Sequence, residues 1–221
     1  MLNLLFPGSG LLLLGHWRWA LWTQIVLIAH LVVLCWSRWV FEPGGIHFSL
    51  GVIALVYLVN TLTCLFSDAK SAKPRMLLTI GFMLIFGTGF TSGYIYKHHW
   101  LGVHLYFVPS MSMYPTLKPG EFILLDTWAY QDKTPSLNDV VVFEHGIEKQ
   151  HLVKRIRPWP NGGLTKETLW YVMGDNRSSS QDSRYFGGIA SEQLLGKVKL
   201  VLIALDKEHL MSVDVVLTPV H

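Results

Sequence analysis

This chain is short of charge. Asp, Glu, Lys and Arg make up 15% of its 221 residues, against about 25% in an ordinary soluble domain. Mean hydropathy is +0.35. The shortfall is uneven: residues 1–98 carry few charges, and residues 113–221 carry most of them. This pattern places the first half in a membrane and the second in water. The net charge of +3 is spread out, with no basic run interleaved with aromatics, so nucleic acid is excluded as a partner. Cysteine is scarce as well. Cys35 and Cys64 both lie in apolar stretches, which leaves neither a metal-ligand spacing nor a disulfide framework. With the spans drawn below, the two thiols sit near opposite bilayer faces, beyond the roughly 7 Å a disulfide tolerates between Cα atoms. The long apolar runs hold no carboxylate or lysine, so an intramembrane proton relay, and with it a transporter, is excluded. Internal repeats and low-complexity tracts are also lacking.

What is present first is length without charge. A hydrocarbon core of about 30 Å needs about 20 apolar residues in a helix. Three stretches meet this, predicting transmembrane helices at roughly 17–37, 46–66 and 76–97 within a membrane domain of residues 1–98. Trp17, Trp19, Trp22, Trp36 and Trp39 cluster at the ends of the first span, as an aromatic belt would. The segment 67–75 carries Lys70, Lys73 and Arg75 and is expected in the cytoplasm by the positive-inside rule. The third span then delivers residues 99–221 to the far side. Residues 1–15 are apolar but broken by Pro7-Gly-Ser-Gly10, and read as an interfacial or re-entrant piece. They lack the positive n-region and cleavage site of a removable signal peptide. Gln24, His30 and Asn60 within the spans are expected to hydrogen-bond between helices.

From Glu121 onward the pattern is strand-like. Glu121–Asp126, Asp139–Phe143, Leu169–Met173 and Gly196–Ala204 are short, β-branched or aromatic, and bounded by turn residues. The expected fold is N-terminal transmembrane α-helices followed by a mostly β domain over 99–221.

Three polar stretches stand out. Val108-Pro-Ser-Met-Ser-Met-Tyr-Pro-Thr116 brackets two serines with prolines. His151-Leu-Val-Lys-Arg-Ile156 places a lysine on the same strand face as Leu152 and Ile156. Gly174-Asp-Asn-Arg-Ser-Ser-Ser-Gln-Asp-Ser-Arg-Tyr-Phe-Gly187 is dense in polar groups. A serine needs a neighbouring base to become a nucleophile. His145 and His151 are in the right half, but the G-x-S-x-G elbow is absent. Lys154 on an apolar face would lose hydration, which lowers its pKa toward the 7–8 a base requires. An ordinary edge-strand lysine with its head in water is the competing reading. Phe122, Trp128 and Tyr130 could rest on a bilayer or fill the core.

The three stretches together resemble the type I signal peptidases. Pro-Ser-Met-Ser-Met-Tyr-Pro-Thr-Leu117 with Pro-Gly-Glu-Phe-Ile-Leu-Leu125 is similar to the family's nucleophile box. Asn138-Asp-Val-Val-Val-Phe143 and Val-Lys-Arg-Ile156 resemble its lysine box. Gly-Asp-Asn-Arg177 with Asp-Ser-Arg-Tyr-Phe-Gly187 resembles its last box. The resemblance covers 106 to about 205. It implies a β catalytic domain in which Ser112 is the nucleophile and Lys154 the general base. Ser110 and the Ser112 N–H form the oxyanion hole, and Ser180 orients the lysine. Asp182 with Arg184, and Arg155 with Asp175, brace the site, while Met113 and Pro115 hold the Ser112 turn. No cofactor or metal is implied. The implied partners are preprotein signal peptides, the lipid bilayer and the protein-export machinery. The implied place is the bacterial cytoplasmic membrane, multi-pass, with the catalytic domain on the extracytoplasmic side. One departure is clear. Where the family usually runs Lys-Arg-x-x-Gly-Leu-Pro-Gly-Asp, this chain has Lys154-Arg-Ile-Arg-Pro-Trp-Pro-Asn-Gly162, which puts the turn after the base in question. A dedicated maturation peptidase for a pilin or secretion-system substrate, and an inactive membrane-anchored binding paralogue, are the alternatives to a general signal peptidase.

Overall fold

The computed structural model describes residues 7–66, 76–96, 100–163, 165–166, 169–205, 213–214 and 218–220. The chain divides into two compact units, residues 1–101 and 102–221. The positively charged segment 67–75 and residues 1–6 lie outside the described residues.

The first unit is helical. A short helix α1 (Ser9–Leu13) precedes α2 (Trp17–Trp36), α3 (Pro43–Phe66) and α4 (Met76–Ile95). Both α2 and α3 are long and apolar enough to cross a membrane. Their outer faces expose Trp19, Trp22, Ile28, Val33, Leu50 and Leu55, as lipid-facing helices do. The second helix starts three residues before the apolar run at Ile46, because Pro43 fits a first helical turn, where its missing N–H costs nothing.

The polar groups of the spans pair between elements. Thr23 Oγ1 donates to Asn60 Oδ1 at 3.1 Å, His30 Nε2 lies 3.0 Å from Ser49 Oγ, and Gln24 Nε2 donates to the Pro7 carbonyl at 2.6 Å. The interhelical role expected for Asn60 and His30 is what the geometry provides, whereas Gln24 bonds the turn before α1 instead of another helix. Within the N-terminal apolar piece, Ser9–Leu13 is a helical turn packed inside this unit, with Leu11 and Leu12 buried against Ala20 and Phe82. Gly8 makes that entry possible. Its φ of +89° is left-handed, and a Cβ there would meet the Ala20 backbone at 3.2 Å.

The second unit is an antiparallel β-sheet. Its strands are β1 (Val103–Phe107), β2 (Glu121–Asp126), β3 (Val140–His145), β4 (Gln150–Arg157), β5 (Thr165–Lys166), β6 (Leu169–Met173), β7 (Ile189–Ala190), β8 (Leu194–Leu205), β9 (Val213–Asp214) and β10 (Thr218–Pro219). The main path runs β1-β2-β8-β3-β4-β6-β5 through seven strands, with β7, β9 and β10 attached beside it. Four strand positions agree with the sequence pattern. The first strand, β1, lies upstream of where that pattern begins, because it has only five residues, Val-His-Leu-Tyr-Phe, too few to show a period. One four-residue helix, α5 (Ser183–Phe186), interrupts the β structure.

Among the described residues, apolar side chains are buried on both faces of the sheet, in two clusters. One gathers Val108, Met113, Leu117, Ile123, Leu125, Val140, Val142 and Val198. The other gathers Val141, Phe143, Ile156, Trp170, Val172 and Ile189, with Leu152 and Tyr130 at its edge. Alternation explains the division: Val141 and Phe143 face one way, Val140 and Val142 the other. Tyr130 belongs to the core. It packs on the second cluster and its hydroxyl donates to Asp139 Oδ2 at 2.9 Å. Phe122 packs on Phe107 with ring centroids 5.3 Å apart.

Candidate active site

The loop that carries Ser112 joins β1 to β2. Two backbone bonds close its neck: Val108 N–H donates to the Glu121 carbonyl at 2.9 Å, and Gly120 N–H to Val108 at 2.8 Å. Met113 and Leu117 then sink completely into the first apolar cluster. A bond from Leu117 N–H to the Met113 carbonyl at 2.9 Å turns the chain between them, across the cis Tyr114–Pro115 peptide. Polar Ser112 is therefore held under the surface by its apolar neighbours, at 5% exposure.

Lys154 comes from β4, the strand paired with β3, opposite Val141. It shares a face with Leu152 and Ile156, as the alternation predicts, and is only 3% exposed. Its Nζ donates to Ser112 Oγ at 2.9 Å and to the Val153 carbonyl at 2.9 Å. Burial pushes its pKa down from 10.5 to about 8, and the nearby negative charge of Asp182 opposes only part of that fall. The edge-strand reading of Lys154 does not describe this side chain. Ser110 Oγ stands 3.1 Å from Ser112 Oγ. The two histidines are elsewhere: His145 stacks on Phe186 at 4.2 Å, and His151 lies 3.7 Å from Glu144 with its ring against Tyr106.

The loop after β6 supplies the remaining wall. Asp182 is fully buried. Its Oδ2 accepts from Gly174 N–H at 3.0 Å, and its Oδ1 accepts from Arg184 Nε at 2.8 Å while capping α5. Burial alone would raise this carboxyl's pKa, but the Arg184 guanidinium and the Gly174 N–H hold it down at about 2. Asn176 N–H donates to the Ser112 carbonyl at 3.0 Å, tying this loop to the serine turn.

Arg155 and Asp175 form a second tie. Arg155 Nη2 meets Asp175 Oδ2 at 2.8 Å and Nε meets Oδ1 at 3.0 Å. Asp175 is held below the usual carboxylate range: burial pushes it up, and the bonds from Arg155 and Thr116 outweigh that.

One expected contact is missing. Ser180 is buried, but among the described residues its Oγ is not hydrogen-bonded to Lys154; the group it acts on is Asp182, whose carboxyl it helps to hold down. The second N–H of the lysine goes to the Val153 carbonyl instead. Three positions that sequence reasoning does not single out complete the site. Besides that carbonyl, Thr116 Oγ1 donates to Asp175 Oδ2 at 2.7 Å and accepts from Arg155 Nη2 at 3.2 Å, joining the serine loop, the lysine strand and the third loop at one hydroxyl. Gly174 leaves room: a Cβ there would stand 2.6 Å from the Ser112 carbonyl oxygen and overlap Ser180. The signal for both was position alone, since each lies inside a polar motif next to a named residue.

The altered turn after Lys154 has its own support. Gly162 and Gly163 both have left-handed φ, +89° and +84°. Trp159 locks the turn by stacking on Tyr171 at 4.9 Å and donating from Nε1 to the Leu169 carbonyl at 3.2 Å.

Gly174→Ala is therefore expected to disturb the site from behind. The new methyl displaces Ser180 and the Ser112 backbone, costing about 1–3 kcal/mol of stability by overpacking. It lowers any hydrolytic activity by about a hundredfold, the usual result of misplacing a reacting group by about 1 Å. Thermal melting and single-turnover assays of the variant check this. Unchanged values in both would place Ser180 and Ser112 farther from Gly174 than described.

A buried serine bonded to a buried amine, on an antiparallel β domain, sets a hydroxyl and a basic group within proton-transfer distance. The profile of the signal peptidase, peptidase S26, family matches residues 83–163 and 158–203, more than half of the chain, and the chain belongs to that family. Its relatives are distant. A signal peptidase I of Bacillus caldolyticus is 28% identical over 138 residues, covering 42% of this chain and 75% of its own length. A probable signal peptidase I-2 of Synechocystis sp. is 26% identical over 128 residues, covering 41% and 59%. A signal peptidase I of Buchnera aphidicola is 28% identical over 88 residues, covering 39% and 28%. The chain spans less than two thirds of the length of the second and third.

Proposed function

We propose that this protein is a membrane-anchored serine endopeptidase that removes N-terminal signal peptides from exported preproteins. The observation that carries the reading is the 2.9 Å contact between Lys154 Nζ and Ser112 Oγ. Both groups are buried, and the amine is poised near neutrality by loss of hydration.

In its neutral form Lys154 takes the Ser112 hydroxyl proton as Oγ attacks the substrate carbonyl. The developing oxyanion is stabilised by the Ser110 hydroxyl and the Ser112 N–H, a donor set worth about 3–4 kcal/mol per donor in comparable sites. Lys154 then returns the proton to the leaving amine, and afterwards draws one from the water that frees the acyl group. The Val153 carbonyl, bonded to Nζ, keeps the amine aimed at Ser112. Asp182, Arg184, Arg155, Asp175, Met113 and Pro115 position these groups.

The length and apolar composition of α2 and α3 support membrane anchoring. We assign α4 as a third crossing, with the β domain on the extracytoplasmic face, opposite the positive segment 67–75. Anchoring raises the effective concentration of substrate at the site.

The test is cleavage of a model preprotein by the purified full chain in detergent, with the new N-terminus read by mass. Wild type is expected to cut once, after a small-x-small sequence, at a rate that rises with pH through about 8 as Lys154 loses its proton. Ser112→Ala is expected not to cut. A wild type inert on generic preproteins sinks this reading and favours a dedicated substrate.

A further inference from the structure

The serine loop has a second exposed side. Beside it lies an open cleft of about 590 Å³, lined by Pro115, Thr116, Asn138, Arg155, Arg157, Asp175 and Arg177. Its charges do not balance. Three guanidinium groups face one carboxylate, and that carboxylate is already engaged by the Arg155 fork and the Thr116 hydroxyl. Arg157 Nη1 donates to the neutral Asn138 Oδ1 at 2.7 Å, and its Nη2 is 3.7 Å from Asp175. Its Nε is buried with no partner. Arg177 donates only to the Met173 sulfur and makes no ion pair among the described residues. Two guanidiniums are thus left with unspent donors on the wall of one groove, in the geometry that suits a carboxylate.

The groove is close to the chemistry. Thr116 is four residues from Ser112, and Arg157 three from Lys154. At no more than about 3.6 Å per residue, Thr116 lies within roughly 15 Å of Ser112 between Cα atoms, while Arg157 projects from the face of β4 opposite Lys154. An extended peptide covers that distance in about three to five residues.

Resting on the signal-peptide reading above, we propose that this cleft is a substrate subsite for an acidic side chain. It takes an Asp or Glu about three to five residues beyond the scissile bond, in the portion that becomes the mature protein. The segment before the bond is the membrane-embedded one, where a carboxylate is costly. The segment after it is free to carry charge. Arg157 and Arg177 hold the acid, and Arg155 stays committed to Asp175.

The test uses paired peptides that differ by Asp against Asn at the third, fourth or fifth position after the cut. Binding is measured by fluorescence anisotropy on the full-chain Ser112→Ala protein, and kcat/KM on the wild type. At one of the three positions the acid is expected to bind about tenfold tighter than the amide at low salt, as a charge-assisted pair does. Raising the salt should shrink that ratio, because the groove is open to screening. Arg157→Gln/Arg177→Gln should bring the ratio to about one. The ratio is read within each protein, so a general loss of fold cancels. Equal binding of acid and amide at all three positions overturns the proposal, and so does a preference that survives the double variant. Equal peptide binding together with loss of anionic-vesicle binding in the double variant would assign the arginines to a lipid headgroup instead. Cleavage of the Asn peptide reports separately on the signal-peptide reading: a failure there leaves the binding ratio able to decide the subsite.

Discussion

Lys154→Met is expected to abolish cleavage and to make the protein more stable at pH 7. The first half follows from chemistry. Methionine has no lone pair to take the Ser112 proton, and loss of a positioned base costs on the order of a thousandfold or more in kcat/KM. The second half follows from burial. The lysine is 3% exposed and its pKa falls from 10.5 to about 8. A folded pKa below the unfolded one means that folding disfavours the ammonium, which is a cost to stability. That cost is fully present below about pH 8 and disappears as pH rises toward 10.5. The shift corresponds to about 3 kcal/mol at 1.36 kcal/mol per unit. Methionine escapes it but forfeits the bonds to Ser112 and Val153, leaving a net gain of about 1–2 kcal/mol. Melting curves of both proteins across pH 6 to 10.5 check the sign: the gap should be widest at the acid end and narrow as pH rises. A variant that melts lower than wild type at pH 7 would mean that the native site accommodates the ammonium comfortably, and the base assignment would lose its physical basis.

Asp182→Asn is expected to weaken the fold and to move the pH profile in one direction. Asp182 is fully buried, with Arg184, the Gly174 N–H and the α5 N-terminus all bonded to it. Replacing a buried carboxylate that holds these donors by a neutral amide costs about 1–3 kcal/mol in lost hydrogen bonding. The depressed pKa gives the pH dependence. The stability Asp182 contributes is present above its unfolded value near 4 and is lost as pH falls through about 2. The difference between wild type and variant should therefore close in acid. The same carboxylate favours the charged form of Lys154. Without it the ammonium is less favoured, so the rising limb of kcat/KM moves to lower pH. A merely structural loss would lower the whole profile and leave its midpoint in place. A midpoint that stays fixed or moves upward would show that Asp182 does not act electrostatically on the lysine.

The fold class was legible in the sequence, and so were the three stretches that meet around Ser112 and Lys154. Lys154 was legible because alternation alone puts it on the face of Leu152 and Ile156, and that face is buried. Ser112 was legible through the resemblance of its motif to the signal peptidases' nucleophile box; the bracketing prolines mark the stretch but do not choose between Ser110 and Ser112. The arginine–carboxylate pairs Asp182–Arg184 and Arg155–Asp175 form as their charges suggest. What could not be read is what depends on three loops meeting. Thr116 binds groups from a strand and a loop that lie 39 and 59 residues away. Gly174 matters because the Ser112 carbonyl approaches from a distant segment. The Ser180 hydroxyl was expected on the lysine, yet the carbonyl of Val153, a neighbour in sequence, occupies that donor. A backbone group has no signature in a sequence. The strand β1 was hidden for another reason: five residues are too few to show a period beside a long apolar run.

The central claim is that Lys154 is a neutral base beside Ser112 at working pH. The most direct measurement is the titration of its Nζ by nitrogen NMR in the full-chain protein, selectively labelled at lysine, with Lys154→Met assigning the signal. A midpoint near pH 8 is predicted. A midpoint at the ordinary 10.4 of a hydrated lysine would contradict the account, because the amine could not then take a proton from Ser112 near neutrality.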